Sequence, residues 1–132
     1  MKNLIIAASV LLAACGNATG PQTPGYVGIY SLYEVNGVRV PAVVKESGGW
    51  RARVENGSMT LRADNSYLEV TNFSVIAPDC AVTPRSITEN GTYVVAGTRI
   101  AFTAEDTVYY GVVSGNSLSY TYGSDNIQYR RQ

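Results

Sequence analysis

From residue 26 onward, the chain consists of short runs of alternating apolar and polar residues, separated by turn-forming pairs. In the run 117–122, for example, Leu118, Tyr120 and Tyr122 alternate with serine and threonine. This period-two pattern puts an apolar and a polar face on an extended strand, as in a half-buried antiparallel sheet. No stretch after residue 25 shows the stripe of an amphipathic helix. The pattern predicts an all-β domain.

The turn-forming pairs recur often enough to connect each predicted strand directly to the next. A type I′ turn requires positive φ at both central residues, which asparagine and glycine tolerate. The pairs interpreted as turns are Asn36-Gly37, Asn56-Gly57, Asp64-Asn65, Asn90-Gly91, Ala96-Gly97, Glu105-Asp106, Gly115-Asn116 and Ser124-Asp125. Short connections predict an antiparallel up-and-down meander. A meander of about eight strands closes most easily into a small barrel, which removes unpaired edges.

A transmembrane barrel is the alternative for such a pattern. Its strands need about 9–11 residues and an apolar outer face. Most runs in this chain are shorter, and the faces opposite the apolar residues carry Arg62, Arg99 and many hydroxyl side chains. The sequence therefore favours a barrel that lies outside the bilayer.

The first 15 residues have the features of a secretory leader. Lys2 precedes residues 4–14, which are apolar except for Ser9. This run is shorter than the about 20 residues that a membrane span needs, and it fits a signal-peptide core. It ends Leu12-Ala13-Ala14-Cys15, which resembles the lipobox of bacterial lipoproteins. In that family the cysteine is lipidated and the leader is cut before it. An ordinary signal peptide cut nearby is the alternative.

These features divide the chain into three parts. Residues 1–14 are the predicted signal peptide. Residues 15–25 contain the lipidated Cys15 and a flexible tether without charged residues and with two prolines. Residues 26–132 form the predicted barrel domain. The resemblance to lipoproteins implies a lipid-anchored protein of the bacterial cell envelope, on the outer membrane or on the periplasmic face of the inner membrane.

The types of residue that are missing limit the chemistry. The chain has no histidine, which removes Ser-His-Asp and Cys-His nucleophilic sites and the usual zinc sites. No motif places two carboxylates together, although a barrel can bring carboxylates from distant strands side by side. We expect no enzyme activity, no metal and no cofactor. The formal net charge is zero, and without a block of like charge we expect no nucleic-acid partner.

The two cysteines have separate roles in this interpretation. If Cys15 carries lipid, Cys80 has no partner for an intrachain disulfide. Cys80 lies in the predicted loop 77–81, and we expect a small, partly buried thiol there. An intermolecular disulfide in an oxidising compartment is the alternative. The oligomeric state stays open.

Several motifs resemble small bacterial lipocalin-like domains in their order and spacing. The segment 28–37 reads G-x-Y-x-L-x-x-V-N-G, followed by an apolar residue and Pro41. The segment 57–64 reads G-x-M-x-L-x-x-D, and the chain continues with Gly91-Thr92-Tyr93 and a closing Tyr129-Arg130-Arg131. The resemblance implies a lipocalin-like β-barrel and no particular catalytic residue. The helix that follows the barrel in classical lipocalins is not identifiable, so the resemblance is to the short bacterial form.

Tyrosine dominates the aromatic residues, with ten tyrosines against two phenylalanines and one tryptophan. A barrel of about eight strands is either filled by its side chains or holds one small ligand. We favour the filled interior, because so short a domain has little other apolar material for a core. In the alternative, tyrosine hydroxyls surround a small ligand. The tyrosines at inward positions are Tyr30, Tyr67, Tyr93, Tyr120, Tyr122 and Tyr129.

Three further features have two interpretations each. Trp50 follows Gly48-Gly49 and either plugs one end of the barrel or is an exposed anchor for a ligand or partner. Tyr109-Tyr110 places adjacent rings on opposite faces, so that one of them is expected at the surface. Arg130-Arg131 fits a solvated strand end better than an anion site.

The sequence thus favours a lipid-anchored, non-catalytic barrel that binds a small apolar or aromatic molecule. The candidate ligand contacts are Trp50, Tyr93, Tyr120 and Tyr122. The alternative is a packed barrel that serves as a structural or protein-interaction module of the envelope. A concave apolar pocket would favour the first function, and a closed barrel with an exposed apolar patch would favour the second.

Overall fold

The computed structural model describes residues 22–132, and the predicted leader and Cys15 lie outside the described residues. The described chain folds into ten β-strands and contains no helix that is long and apolar enough to traverse a bilayer. The strands are β1 (Gly28–Val35), β2 (Val38–Arg39), β3 (Ala42–Ser47), β4 (Trp50–Leu61), β5 (Ser66–Ile76), β6 (Val82–Ala96), β7 (Arg99–Ala104), β8 (Thr107–Ser114), β9 (Ser117–Tyr122) and β10 (Asp125–Arg131).

Eight of the strands form a closed antiparallel barrel. Strands β4 to β10 pair in sequence order, β10 pairs with β1, and β1 returns to β4. The two extra strands lie outside this ring, with β2 on β1 and β3 on β4. The predicted all-β, up-and-down barrel of about eight strands is confirmed.

Two of the predicted turns are wrong, because Asn56-Gly57 lies inside β4 and Asn90-Gly91 lies inside β6. At both positions glycine serves a close approach of backbone rather than a turn. A Cβ on Gly57 would lie 2.9 Å from the Val70 carbonyl oxygen, and one on Gly91 would lie 2.0 Å from the Thr103 carbonyl oxygen. The other predicted pairs lie at connections between strands, although Ala96 still belongs to β6 and Asp125 already belongs to β10. Asn36-Gly37 has the expected positive φ at both residues, 53° and 78°.

The barrel closes through a short seam between β1 and β4. The paired residues run only from Gly28, opposite Leu61, to Ser31, opposite Ser58. Beyond the seam, β1 pairs with β2 and the first half of β4 pairs with β3. The predicted single run 38–44 is interrupted at Pro41, which has no N–H to donate to a ladder. The wall is therefore continuous at one end of the barrel and splayed at the other.

The interior at the seam end is packed solid. Tyr93 is 1% exposed, its ring meets the Tyr26 ring edge-on at 6.0 Å, and its hydroxyl donates to the Arg62 carbonyl at 2.6 Å. The largest fully buried side chains of the barrel are Tyr30, Tyr67, Tyr93, Tyr129, Phe102, Met59, Leu61, Ile100 and Leu118. In this part of the barrel, side chains fill the interior, as predicted from the sequence.

Of the two closing arginines, Arg130 fits the predicted solvated strand end and Arg131 does not. Arg131 is half-buried and donates to the carbonyls of Gly25 and Val27, the latter at 3.0 Å. It also donates to the Tyr30 hydroxyl at 2.9 Å. Arg131 therefore joins the last strand to the segment that enters the first. Arg130 is exposed, and its guanidinium lies 3.5 Å from the Tyr33 ring centroid.

Cys80 lies in the connection between β5 and β6 and is exposed, with no disulfide partner in the described part of the chain. The expectation of a partly buried thiol is wrong. Its backbone has a positive φ of 68°, and its N–H donates to the Ala77 carbonyl at 2.9 Å. This tight turn holds the side chain in solvent.

Candidate functional site

At the splayed end, the barrel contains a cavity of about 340 Å³. This volume lies within the range of small-molecule sites, about 300–1,000 Å³. It forms because β1 and β4 separate beyond their seam, and Val44 of β3 covers part of the gap. The lining consists of Leu32, Val35, Val44, Val54, Glu69, Thr71, Ile87, Glu89, Tyr109, Tyr120, Tyr122, Asp125, Ile127 and Tyr129. The favoured prediction of a wholly filled barrel thus holds for one half of the interior only.

A buried carboxylate, Glu69, lies at the floor of the cavity. It is 8% exposed and accepts hydrogen bonds from the hydroxyls of Tyr120 and Tyr129. Burial raises the pKa of Glu69, because removal from water disfavours the charged form, and the two tyrosine hydrogen bonds oppose that rise. Glu69 is in turn one of the reasons why the pKa values of both tyrosines are raised, burial being the larger one.

A second carboxylate lies next to the first. Glu89 of β6 is the register partner of Glu69 on β5. It accepts hydrogen bonds from Tyr67, at 2.6 Å, and from Tyr109, and these two hydroxyls are 2.9 Å apart. Burial, followed by the Glu89 hydrogen bond, raises the pKa of each of these tyrosines. The sequence left open whether the barrel brings two distant carboxylates side by side, and Glu69 and Glu89 form such a pair.

Each of the two carboxylates has one oxygen that the protein leaves free. Both tyrosine bonds to Glu69 end on its Oε1, and both bonds to Glu89 end on its Oε1. Neither Oε2 accepts a hydrogen bond from residues 22–132. In that part of the chain, no fully buried side-chain nitrogen or oxygen lacks a partner. Neither Oε2 is therefore fully buried, and because both glutamates line the cavity, these oxygens can accept hydrogen bonds from a molecule inside it.

Tyrosine rings form one wall of the cavity above the carboxylates. Tyr120 stacks on Tyr129 with ring centroids 6.2 Å apart, and it lies 5.0 Å from the ring of Tyr109. Tyr122 meets Tyr109 edge-on at 5.8 Å and lies at the rim, with 54% of its surface exposed. The rings present both π-faces and edges to the cavity, where they can contact a flat or elongated apolar molecule.

The charges of the lining all have one sign. Glu69, Glu89 and Asp125 line the cavity, and the described residues contribute no lysine or arginine to it. Asp125 lies nearest the strand ends and accepts a hydrogen bond from the Asn36 side chain at 2.9 Å. With low-dielectric walls around them, these carboxylates make the cavity attractive to positive charge.

The structure separates the four predicted ligand contacts. Tyr120 and Tyr122 line the cavity. Tyr93 lies in the packed half, with its hydroxyl on the Arg62 carbonyl, and does not line the cavity. Trp50 begins β4, opposite Ser47 across the Gly48-Gly49 turn, and is 53% exposed. It neither plugs a barrel end nor lines the cavity. The expected split at Tyr109-Tyr110 is present, with Tyr109 6% and Tyr110 65% exposed.

Sequence reasoning missed Glu69 and Glu89 as site residues, although a signal was present. In β5 the alternation that turns Tyr67 inward also turns Glu69 inward, and in β6 Tyr93 and Glu89 share a face in the same way. A charged residue on the apolar face of a strand is unusual and marks a functional candidate. That the two carboxylates meet depends on the strand register, which the sequence does not show.

The donor atoms of the site limit what it can hold. Among residues 22–132, no group of three or more histidine, cysteine, aspartate or glutamate side chains is placed to hold a metal ion. The cavity offers hydrogen-bond acceptors at its floor, hydroxyl groups beside them and an apolar, aromatic wall. This combination suits the binding of a small molecule that has a donor group at one end.

The chain matches no protein-family model, no curated protein and no solved structure with significance. The closed eight-strand antiparallel barrel is consistent with a lipocalin-like fold.

Proposed function

We propose that this protein is a lipid-anchored binding protein of the bacterial cell envelope, and that its barrel holds a small apolar or aromatic molecule without catalysis. The observation that carries the proposal is the cavity of about 340 Å³ at the splayed end. The leader that ends at Cys15 supports the anchor, and the tyrosine wall supports a ligand with a ring. Tyr120 and Tyr122 are the predicted contacts that we retain for this ligand.

The lining supports binding rather than turnover. It contains no serine, cysteine or histidine among the described residues, and Thr71 is its one aliphatic hydroxyl. Both carboxylates are held by tyrosine hydroxyls, which fix their positions without help from a ligand. Pre-positioned groups reduce the ordering cost of binding.

The experiment that tests binding is a titration with N-phenyl-1-naphthylamine, a neutral aromatic fluorophore that brightens in apolar surroundings. We expect saturable binding to the purified protein. Thr71→Phe places a ring inside the cavity and should abolish the signal. Thr121→Phe is the matched control, because Thr121 is exposed and does not line the cavity. Binding that does not saturate, or that survives Thr71→Phe, would overturn the proposal.

A row of exposed apolar side chains favours the second candidate, a protein-interaction module. Val94 on β6, Ala101 on β7 and Tyr110 on β8 are register neighbours. Val94 is 69% and Tyr110 is 65% exposed, and Val112 lies next to them. Tyr110→Lys should leave fluorophore binding intact if the cavity is the functional site. A phenotype that follows Tyr110→Lys and not Thr71→Phe would favour the interaction module.

A further inference from the structure

The floor of the cavity presents carboxylate oxygens without a donor. Glu69 is 8% exposed, yet both of its tyrosine donors bind Oε1, and its Oε2 receives no hydrogen bond from residues 22–132. Glu89 beside it repeats the arrangement with Tyr67 and Tyr109. Partial removal of a carboxylate from water disfavours its charged form unless hydrogen-bond donors replace the lost water. A ligand that donates to these oxygens would remove that penalty.

The negative charge of the cavity lining determines which kind of hydrogen-bond donor a ligand should carry. Glu69 and Glu89 are directly opposite each other on paired strands, where like charges repel. Asp125 adds a third acidic group to the lining, and no described lysine or arginine balances the three. A neutral donor would satisfy an oxygen and leave the repulsion in place. A positively charged nitrogen would satisfy the oxygen and also offset the repulsion, and charge-assisted hydrogen bonds are the stronger kind.

The remainder of the lining indicates what carries this nitrogen. Leu32, Val35, Val54 and Ile127 are aliphatic, and the tyrosine wall adds aromatic faces. A bare metal ion needs no apolar chamber of this volume. A fatty acid would put its carboxylate among three others. The tyrosine faces also attract cations through their ring quadrupoles.

We propose that the ligand of the cavity is an organic cation: an amine with an apolar, aromatic or aliphatic body, whose nitrogen lies between the Oε2 atoms of Glu69 and Glu89. This inference rests on the proposed binding function and names its ligand class. Glu69 and Glu89 bind the charge, and Tyr67, Tyr109, Tyr120 and Tyr129 position the two carboxylates.

The test compares three molecules that share an indole ring and differ in their charge: tryptamine, tryptophol and indole-3-propionate, with their phenyl counterparts as a smaller series. Isothermal titration calorimetry on the purified protein measures each affinity. We expect the amine of at least one series to bind at least about tenfold more tightly than its alcohol, as one charge-assisted hydrogen bond implies. The carboxylates should bind more weakly than the alcohols.

Substitution of each glutamate tests whether the two carboxylates cause the preference for the amine. Glu69→Gln and Glu89→Gln keep the size of the side chain and an acceptor for the tyrosines, and each should remove most of the preference for the amine. Glu46→Gln is the control, because Glu46 is exposed on β3 and does not line the cavity. Urea unfolding of each variant verifies folding, and two independent variants protect the test against the misfolding of one.

Three outcomes would count against the inference. If an alcohol or a carboxylate binds as tightly as the amine, the cavity binds ligands but not by their charge. If the neutral fluorophore binds and none of the amines binds at millimolar concentration, the ligand class is again wrong while the binding function stands. If neither the fluorophore nor any amine binds, both proposals fail.

Discussion

Glu69 and Glu89 face each other across β5 and β6 at the floor of the cavity, and each accepts two tyrosine hydroxyls through a single oxygen. Like charges directly opposite each other on a sheet destabilise it. A barrel interior built for stability alone would place apolar residues at these positions, as the seam end does with Met59 and Ile100. The pair therefore lowers stability at this position, which is the pattern expected of the proposed binding site.

The stability of the protein should depend on pH through Glu69. Burial raises the pKa of this carboxyl in the folded state above its ordinary 4.5. The folded state then holds the proton more tightly than the unfolded state. The Glu69 contribution is most favourable below pH 4.5 and is lost as the pH rises through the folded-state value.

Glu69→Gln should remove this contribution and leave the protein at least as stable as the parent at neutral pH. Urea unfolding across a pH series measures the difference between the two proteins. Glu46→Gln provides the baseline for the loss of a surface acid. Our account of Glu69 would be wrong if Glu69→Gln were clearly less stable than the parent at neutral pH.

Truncation of two tyrosines on the same strand should distinguish the core from the rim. Tyr120 is 5% exposed and packs against Phe102 and Tyr129, whereas Tyr122 is 54% exposed. Tyr120→Ala should reduce the free energy of unfolding by about 3–5 kcal/mol, as for other buried aromatic rings. Tyr122→Ala should cost less than about 1 kcal/mol. Urea unfolding measures both, and similar losses would contradict the placement of the two rings.

Gly91→Ala should be strongly destabilising although it adds one methyl group. The new Cβ would lie 2.0 Å from the Thr103 carbonyl oxygen and 2.9 Å from Cε1 of Tyr67. Because backbone must move to relieve the contact, we expect a loss of about 1–3 kcal/mol or more. Gly25→Ala is the control, since a Cβ there meets nothing within 4 Å. Thermal or urea unfolding of the two variants decides whether Gly91 serves close approach or chain reversal.

The two cysteines should respond differently to substitution by serine. Cys15→Ser removes the sulfur that lipidation requires, so uptake of labelled fatty acid and membrane fractionation should be lost. Cys80→Ser is the matched control and should retain both, because Cys80 lies in an exposed loop of the folded domain. Continued fatty-acid labelling of the Cys15→Ser protein would disprove the anchor.

The fold could be predicted because alternation and turn chemistry are local properties. Glu105-Asp106 and Gly115-Asn116 join β7, β8 and β9 where they were expected. The errors come from glycine, which has two uses in β-proteins. Gly57 and Gly91 each follow an asparagine as a hairpin glycine does, but each lies in the middle of a long strand against a neighbouring carbonyl. Only the packing of a neighbouring strand shows that a glycine allows close approach of backbone and does not form a turn.

The candidate site was harder to predict because its parts come from distant strands. Tyr120 and Tyr122 could be predicted as ligand contacts because both lie on the apolar face of one strand. Glu69 and Glu89 are adjacent only through the register of β5 and β6 across the 77–81 loop. The cavity itself depends on the residue at which β1 leaves β4, after Ser31, and no local pattern encodes that point. Pairing and volume are properties of the assembled barrel.

The Arg131 contacts also determine at which pole of the barrel the two ends of the described chain lie. Arg131 binds the carbonyls of Gly25 and Val27, and the Gln132 N–H donates to the Ile29 carbonyl at 3.0 Å. Both ends of the described chain therefore leave the barrel at its sealed pole, and the cavity opens at the other pole. A bilayer or a sensor chip linked to either end is therefore joined to the pole opposite the cavity mouth, and the link does not cross the mouth.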